Sequence, residues 1–355
     1  VTSATSPGGL WADLPLFSRG QYYVRVLADS ISEQGVRLTT LECRYPRFIH
    51  SEVLRHRVDS HSVESSRAMP IEKMIERVRT EPFVPETFNK RVKGMGVGEA
   101  FDEEARAESE FWWLDASKAA AWRAEKLNEI GNDKSRVNRL LEPFMWVKDI
   151  ISATEWSNFL ALRCPPGNDF DLGFPAQPEI QMFALLVRMA LQMSSPELLG
   201  KGAWHLPGAT SAEKRELKNL YDNRDDENAE LYLNDLKRAC PRRLAKISFD
   251  NLSKPEDIEI SIAKTGELIS MGHFSPTEHV ARPMVEEDLW DGSPLMDKIM
   301  IPISEVSRVL HTCEVFTEGV NLAQCWAGNF RGWIQFRKEI AGEEDHAKLL
   351  DYSVF

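Results

Sequence analysis

The sequence predicts an α+β protein, an antiparallel or mixed sheet flanked by many helices. Two alternating, β-branched stretches lie close together near the start, at residues 21–28 and 35–43. Most of the chain beyond them carries helical rather than strand periodicity. No stretch repeats elsewhere, so a solenoid or propeller is not expected.

In chain order, residues 1–20 read as a loose leader, with Thr, Ser, Pro and Gly in place of periodicity. The Tyr-Val-Arg-Val and Val-Arg-Leu-Thr-Thr-Leu stretches read as two strands joined by a turn over residues 30–35. Pro46 is placed to open a helix over residues 47–57, with Phe48, Ile49, Val53 and Leu54 along one side. A Ser-rich turn then follows, and residues 82–97 read as loop. Helices are expected over residues 100–130, 132–142, 153–164 and 177–193, with a Gly/Pro/Asp loop at 165–175. The charged stretch 212–240 reads as a peripheral helical hairpin, and 257–271 as a helix ending at Gly272-His273. A short apolar stretch at 299–303 and a helix over 322–338 complete the prediction.

A formal net charge of −12 argues against a duplex-binding protein, whose affinity depends on neutralising phosphates. Apolar runs fall short of the roughly 18 residues that span a bilayer. The first nine residues show no basic stretch leading into an apolar one, so no secretory signal is expected. The five cysteines are widely spaced without a C-x-x-C, which points to neither a disulfide framework nor a metal site. A reducing cytoplasm is the expected location.

Residues 55–67 read Arg-His-Arg-Val-Asp-Ser-His-Ser-Val-Glu-Ser-Ser-Arg, packing three arginines, two histidines and four serines into thirteen positions. Guanidinium forks and hydroxyls at a helix end suit a phosphate and a planar heterocycle. A solvated, charged helix end is the plainer alternative. The segment's lack of lysine, the usual filler of exposed faces, favours the binding site.

R-H-R, seven residues and then serine is also the signature of flavin-dependent thymidylate synthases, matched here by Arg55, His56, Arg57 and Ser65. Arg67 stands at the signature's trailing arginine. Four further stretches resemble that family: Asn138-Arg139-Leu140-Leu141-Glu142-Pro143 its A-R-x-x-L-P, and Asn158-Phe159-Leu160-Ala161-Leu162-Arg163 its N-F-L-x-L-R. Ala176-Gln177-Pro178-Glu179-Ile180 resembles A-Q-x-E-I, and residues 272–279, Gly-His-Phe-Ser-Pro-Thr-Glu-His, resemble its flavin element. The chain departs from the pattern in several places. The flavin element follows the signature instead of preceding it, which implies a circularly rearranged form of the fold. Ser152-Ala153-Thr154 stands where the family has N-A-R, Glu52 where glutamine is usual, and Ser62-Val63 where Asn-Glu is common.

The resemblance implies transfer of a one-carbon unit from methylenetetrahydrofolate to C5 of a uridylate, dUMP or UMP, with FAD as cofactor and NADPH as reductant. It assigns Glu52, Arg55, Ser65, Ser66, Arg67, Arg139 and Arg163 to the nucleotide, with Arg163 as the catalytic group. It assigns Arg55, His56, Arg57, Asn158, His273, Ser275 and Glu278 to the flavin, and implies a homotetramer with shared active sites. On this reading residues 21–200 form the nucleotide-binding core and 201–245 a charged helical insertion. Residues 246–355 then carry the flavin element and complete the same domain. No cysteine lies in a Pro-Cys-His context, and Cys164 reads as a small packing residue. Three alternatives stay open: a methylase or hydroxymethylase for another pyrimidine nucleotide, as in nucleoside-antibiotic pathways; a non-catalytic flavin or nucleotide binder; and a nucleic-acid-binding domain, which the acidic balance opposes.

Overall fold

The computed structural model describes residues 2–3, 11–94, 97–252, 254, 256–290, 292–302 and 320–343. Its strands are β1 (Thr2–Ser3), β2 (Leu16–Arg19), β3 (Tyr22–Ser32), β4 (Arg37–Pro46), β5 (Asp59–Val63), β6 (Trp146–Ala153), β7 (Glu197–Leu199), β8 (Ala281–Pro283), β9 (Ile299–Met300), β10 (Trp326–Ala327), β11 (Phe330–Arg331) and β12 (Trp333–Gln335). The helices are α1 (His50–Val53), α2 (Ile71–Thr80), α3 (Glu103–Glu129), α4 (Lys134–Val137), α5 (Ser157–Arg163), α6 (Pro178–Met193), α7 (Ser211–Asp222), α8 (Asp226–Ala245), α9 (Ile258–Ser270) and α10 (Phe336–Glu339). The class is α+β, as predicted.

The main sheet runs β1-β2-β3-β4-β6-β5, antiparallel throughout, with β7 added parallel to β3. Strand β4 lies between β3 and β6 and is buried along nearly its whole length, which matches its β-branched, apolar sequence. One sheet face, with Val24, Leu41, Tyr45 and Ile151, packs on α6 and on Phe159 of α5. Helix α6 is apolar nearly all round and is accordingly buried from Pro178 to Val187. Leu27 and Ile150 occupy the opposite face with Trp11, Leu244 and Ile247. Val36 and Leu38 meet Phe330 and Trp333 there.

The expected hairpin at 212–240 is present as α7 and α8. Thr210 and Glu213 form a capping box that starts α7, and Arg243 clamps the same Glu213 with two bonds of 2.7 and 2.8 Å. Helix α8 runs on past Pro241 to Ala245.

Several expectations are corrected. Leu16–Arg19, read as part of the leader, is a strand pairing with β3. Residues 47–57 do not form one helix. Pro46 closes β4, a 3-10 turn covers Arg47–Ile49, and α1 ends at Val53. The Ser-rich turn beyond it is strand β5, and β6 occupies the start of the expected 153–164 helix, which begins only at Ser157. The 132–142 helix divides into α4 and a 3-10 turn at Asn138–Leu140, because Pro143 forbids α-helix in the residue before it. The 322–338 helix is replaced by β10, β11 and β12. Gly328 and Gly332 adopt φ of 65° and 68°, and the Gly328-Asn329 pair turns a two-residue hairpin. Helix α2 was not anticipated. Ile303 and Cys313 lie outside the described residues.

Candidate functional site

Strand β5 carries the middle of segment 55–67 along the sheet edge, paired only with β6. Its alternation sends Asp59 and His61 to one face and Ser60 and Ser62 to the other. Just before it, His56 is buried: its Nε2 donates to the Glu155 carbonyl at 2.8 Å and its ring meets Phe159 edge-on at 5.7 Å. This anchoring leaves Arg55 and Arg57 exposed on either side. Among the described residues neither forms an ion pair.

Arg163 ends α5 and folds back over Phe159, its guanidinium 5.2 Å from the ring centroid. One N–H donates to the Glu52 carbonyl at 3.2 Å. Partial burial lowers its pKa from the ordinary value; Asp59 and Glu52 oppose that shift and the like charge of Arg55 adds to it. Arg163, Arg55, Glu52 and Asp59 therefore share one electrostatic neighbourhood around the His56 anchor. Asn158, one turn earlier on α5, is exposed.

A second group forms where the segment leaves β5. Ser66 Oγ donates to Glu142, which also pairs with Arg47 at 3.1 Å and Arg139 at 3.4 Å. Asn138 Nδ2 donates to the Ser66 carbonyl at 2.7 Å. Ser65 caps the turn through its carbonyl, which accepts from Ala68 and Met69, while Arg67 is exposed without a described partner. Residues 138–142 thus meet residues 65–67, and residues 158–163 meet residues 52–56. The stretch 47–56 joins the two groups, since Arg47 belongs to one and His56 to the other.

Residues 272–279 pack against β5 from the opposite side. Gly272, at φ 76°, ends α9, with the His273 N–H returning to the Leu268 carbonyl at 2.8 Å. His273 and Ser275 are exposed. Glu278 is ion-paired with Arg337 at 2.5 Å. His279 is buried, its Nε2 2.9 Å from Ser62 Oγ and its Nδ1 2.8 Å from Ser152 Oγ. The Gln335 amide donates both to Ser60 Oγ and to the Glu278 carbonyl, each at 3.0 Å. The element that follows the signature by some two hundred positions in the chain therefore touches it in space.

Two polar networks flank β5 that the sequence did not reveal. On one face Asp149 of β6 accepts from Tyr45 Oη at 2.7 Å and from His61 Nδ1 at 2.8 Å. Because Tyr45 spends its only proton on Asp149, His50 Nδ1 must donate to the Tyr45 oxygen, 2.9 Å away. Burial acts to lower the His61 pKa, yet Asp149 and Asp59 override it and raise it to about 10. His61 Nε2 and Asp59 Oδ1 stand 3.1 Å apart, an ion-pair contact without hydrogen-bond alignment. On the other face a chain of short contacts crosses four strands: Ser30 to His205 (2.8 Å), His205 to Thr40 (2.8 Å), Thr40 to Ser152 (2.6 Å), then His279 and Ser62. Of their members, Asp59, His61 and the serines of β5 lay within the 55–67 segment and His279 within the 272–279 element. Asp149 and His205 carry no local signal, and recognising β6 as a strand is what would have found Asp149.

No family model matches the chain, and no curated protein matches it in sequence. Among solved structures it is similar to the UMP/dUMP methylase PolB from Streptomyces cacaoi bound with 5-Br UMP, at a TM-score of 0.39 and 16% identity, covering 49% of this chain and 89% of that one. The same methylase bound with 5-Br dUMP gives a TM-score of 0.38 and 17% identity, covering 49% and 90%. At these values the likeness carries no functional argument, which rests on the residues themselves.

Proposed function

We propose that this chain is a flavin-dependent uridylate C5-methylase, binding dUMP or UMP at the Arg55/Arg163 group. The observation that carries the reading is the pairing of two guanidiniums, Arg55 and half-buried Arg163, close enough that the charge of Arg55 helps to lower the proton affinity of Arg163. Like charges gathered in this way are stabilised by an anion.

C5 of uracil is a weak nucleophile. Activation through a cysteine adduct needs a thiolate, and burial raises the thiol pKa of Cys43, Cys164 and Cys240, the last to about 12. A route without a cysteine adduct stabilises negative charge on the ring itself. Arg163 can stabilise that negative charge, with one N–H held by the Glu52 carbonyl and the rest of its fork available to N3 and O4 of the pyrimidine. Arg67, Arg139 and the Ser65 hydroxyl suit the phosphate and sugar, while Ser66, buried and donating to Glu142, would act by positioning that turn.

His273, Ser275, Asn158, Arg55 and Arg57 present exposed donors that fit a flavin diphosphate and ring. Glu278 and His56 are already committed to Arg337 and Glu155, and would act by positioning those neighbours. Bound FAD, reduced by NADPH, would supply the redox and one-carbon chemistry with methylenetetrahydrofolate. Leu54, Leu140 and Leu162 lie exposed beside these cations, at 43%, 42% and 57%. A second copy covering that surface would complete the site, and the family resemblance extends that pairing to a homotetramer.

The test is a panel of dUMP, UMP and CMP, each with methylenetetrahydrofolate and NADPH, preceded by a visible spectrum of the purified protein with FAD added. Methyl transfer to a uridylate with flavin absorbance is expected. A protein that takes up no flavin and modifies none of the three would overturn the reading.

A further inference from the structure

Beneath the α7/α8 hairpin, and apart from segment 55–67, lies a cavity of about 980 Å³. That is the upper end of the roughly 300–1,000 Å³ expected of small-molecule sites. Its floor is the β3 backbone from Val26 to Ser30, and its roof is the inner face of α7 and α8.

Five cationic side chains line it, Lys201, Lys214, Arg215, Lys218 and Lys237, against three acidic ones, Asp29, Glu197 and Glu230. The whole protein carries a net −12, so this concentration of positive charge is local. Asp29 is neutralised by Arg37, which grips both its oxygens at 2.8 and 2.6 Å. Lys201 pairs with Glu287, and Lys237 lies 4.5 Å over the Trp204 ring and 3.8 Å from Glu339. Among the described residues Lys214, Arg215 and Lys218 form no ion pair. Burial lowers the Lys214 pKa although Cys240, Glu197, Asp13 and Glu213 all act to raise it. Those carboxylates act at a distance and none is in ion-pair contact with Lys214 among the described residues, so an anion that met this partly buried ammonium directly would stabilise it. Much of the rest of the wall is apolar, with Leu206, Leu217 and Leu233 joined by Trp204 and Tyr221, and Ser194, Ser195 and Asn234 add polar groups.

We infer that this cavity binds a small organic anion with an apolar, aromatic body, its acidic group held by Lys214 and Lys218 and its body against Trp204 and the leucines. The spacing of the two lysines, four residues apart on α7, puts both ammonium groups on one side of the helix. Tyr221 adds an aromatic ring to the lining, Trp204 carries Lys237 over its ring, and the apolar side chains favour an organic body over a bare inorganic ion.

Anilinonaphthalene sulfonate, an aromatic anion that fluoresces when desolvated, is the probe, with uncharged N-phenylnaphthylamine as its control. The full-length protein should bind the sulfonate at a single site, and UMP should not displace it. Lys214→Met and Lys218→Met should each weaken the sulfonate by about tenfold and leave the uncharged probe within about twofold. Lys218 is exposed, so its variant keeps the test open should Lys214→Met fail to fold. Unchanged sulfonate affinity in a folded lysine variant would overturn the proposal. Displacement of the probe by UMP would do the same, because it would locate the probe in the nucleotide site. The proposed methylase reading survives either result, since it is measured by methyl transfer.

Discussion

Acid should unfold this protein steeply, because three histidines are held neutral in the native state. His205 and His279 sit inside the hydroxyl–imidazole chain and His50 lies half-buried beside Tyr45. Burial lowers His279 to about 3 and His50 to about 4, and drives His205 well below its ordinary value. An unfolded chain protonates all three below about pH 6.5, whereas the native state does not. Each native pKa is depressed, so stability is complete above that value and is lost as pH falls toward the native pKa. The slope is about 1.4 kcal/mol per pH unit for each histidine. Between about pH 6.5 and 5 the three together cost about 5 kcal/mol, against a total stability of roughly 5–15 kcal/mol for a domain. His61 has the opposite sign. Its native pKa is raised to about 10, so its contribution is complete below about pH 6.5 and is lost as pH climbs toward that value. Of these four histidines only His61 titrates on the alkaline side, so the acid limb should be about three times as steep as the fall between about pH 6.5 and 8. Above about pH 8.5 the thiols of Cys43, Cys164 and Cys240, whose pKa values burial raises, add to the alkaline loss. Urea midpoints at constant ionic strength from about pH 5 to 9 measure both limbs. His279→Gln, which keeps a polar group toward Ser62, should remove about a third of the acid slope. Equal midpoints at about pH 5 and 6.5, or a symmetric profile, would refute the reasoning.

Arg163→Lys should lower single-turnover methyl transfer by roughly 10²–10³ with a smaller change in uridylate affinity, since an ammonium cannot span N3 and O4 as a fork does. Arg67→Ala should mainly weaken nucleotide binding, because a phosphate contact is made alike in ground and transition states; a variant with wild-type affinity and slow turnover would reverse that assignment. Cys164→Ser should keep methyl transfer, and abolished activity with intact flavin and nucleotide binding would reveal a covalent route. Gly208→Ala would put a Cβ 2.7 Å from Cys240 Cα and 2.8 Å from its carbonyl oxygen, and should cost about 1–3 kcal/mol in urea denaturation.

The strands legible in the sequence are those with apolar alternation. β3 and β4 announce themselves through Val24, Val26, Leu38 and Leu41, each buried by a helix or by the C-terminal segment. β5 is hidden because both its faces are polar: His61 answers Asp149 and its own neighbour Asp59, while Ser60 and Ser62 answer Gln335 and His279. The strand it pairs with and the partners of its side chains lie far along the chain, Asp149 by 88 residues and His279 by 217, and no local window contains them. The 322–338 error has a similar origin. Trp326, Phe330, Trp333 and Ile334 recur at helix-like spacing, and only the positive φ of Gly328 and Gly332 reveals the turns between them. At the candidate site, the family resemblance assigned Arg55, Glu52 and Arg163, and the fold puts Arg163 against the Glu52 carbonyl and within reach of the charge of Arg55. It could not show that His56 and Glu278 are engaged within the protein.

The spacing inside segment 55–67 has a structural cause apart from any ligand. His56 is fixed to Glu155 just beyond β6, and Ser66 is fixed to Glu142 just before it. The chain between these anchors must run antiparallel to β6 for the length that β5 spans, with Asp59 opposite Ala153 and Val63 opposite Asp149. A one-residue insertion would exchange the two faces of β5, turning Ser60 and Ser62 toward Asp149 and setting His61 against His279. The raised proton affinity of His61 would then lose its carboxylates, and His279 would lose the hydroxyl that holds Nε2. Both polar networks therefore demand the same count of residues that places Arg55 and Ser65 at the two ends of the strand. A fixed interval between the arginine cluster and the serine is in this chain a requirement of the sheet, and the exposed Arg55, Arg57 and Arg67, which that requirement does not use, are the positions where binding chemistry is free to act.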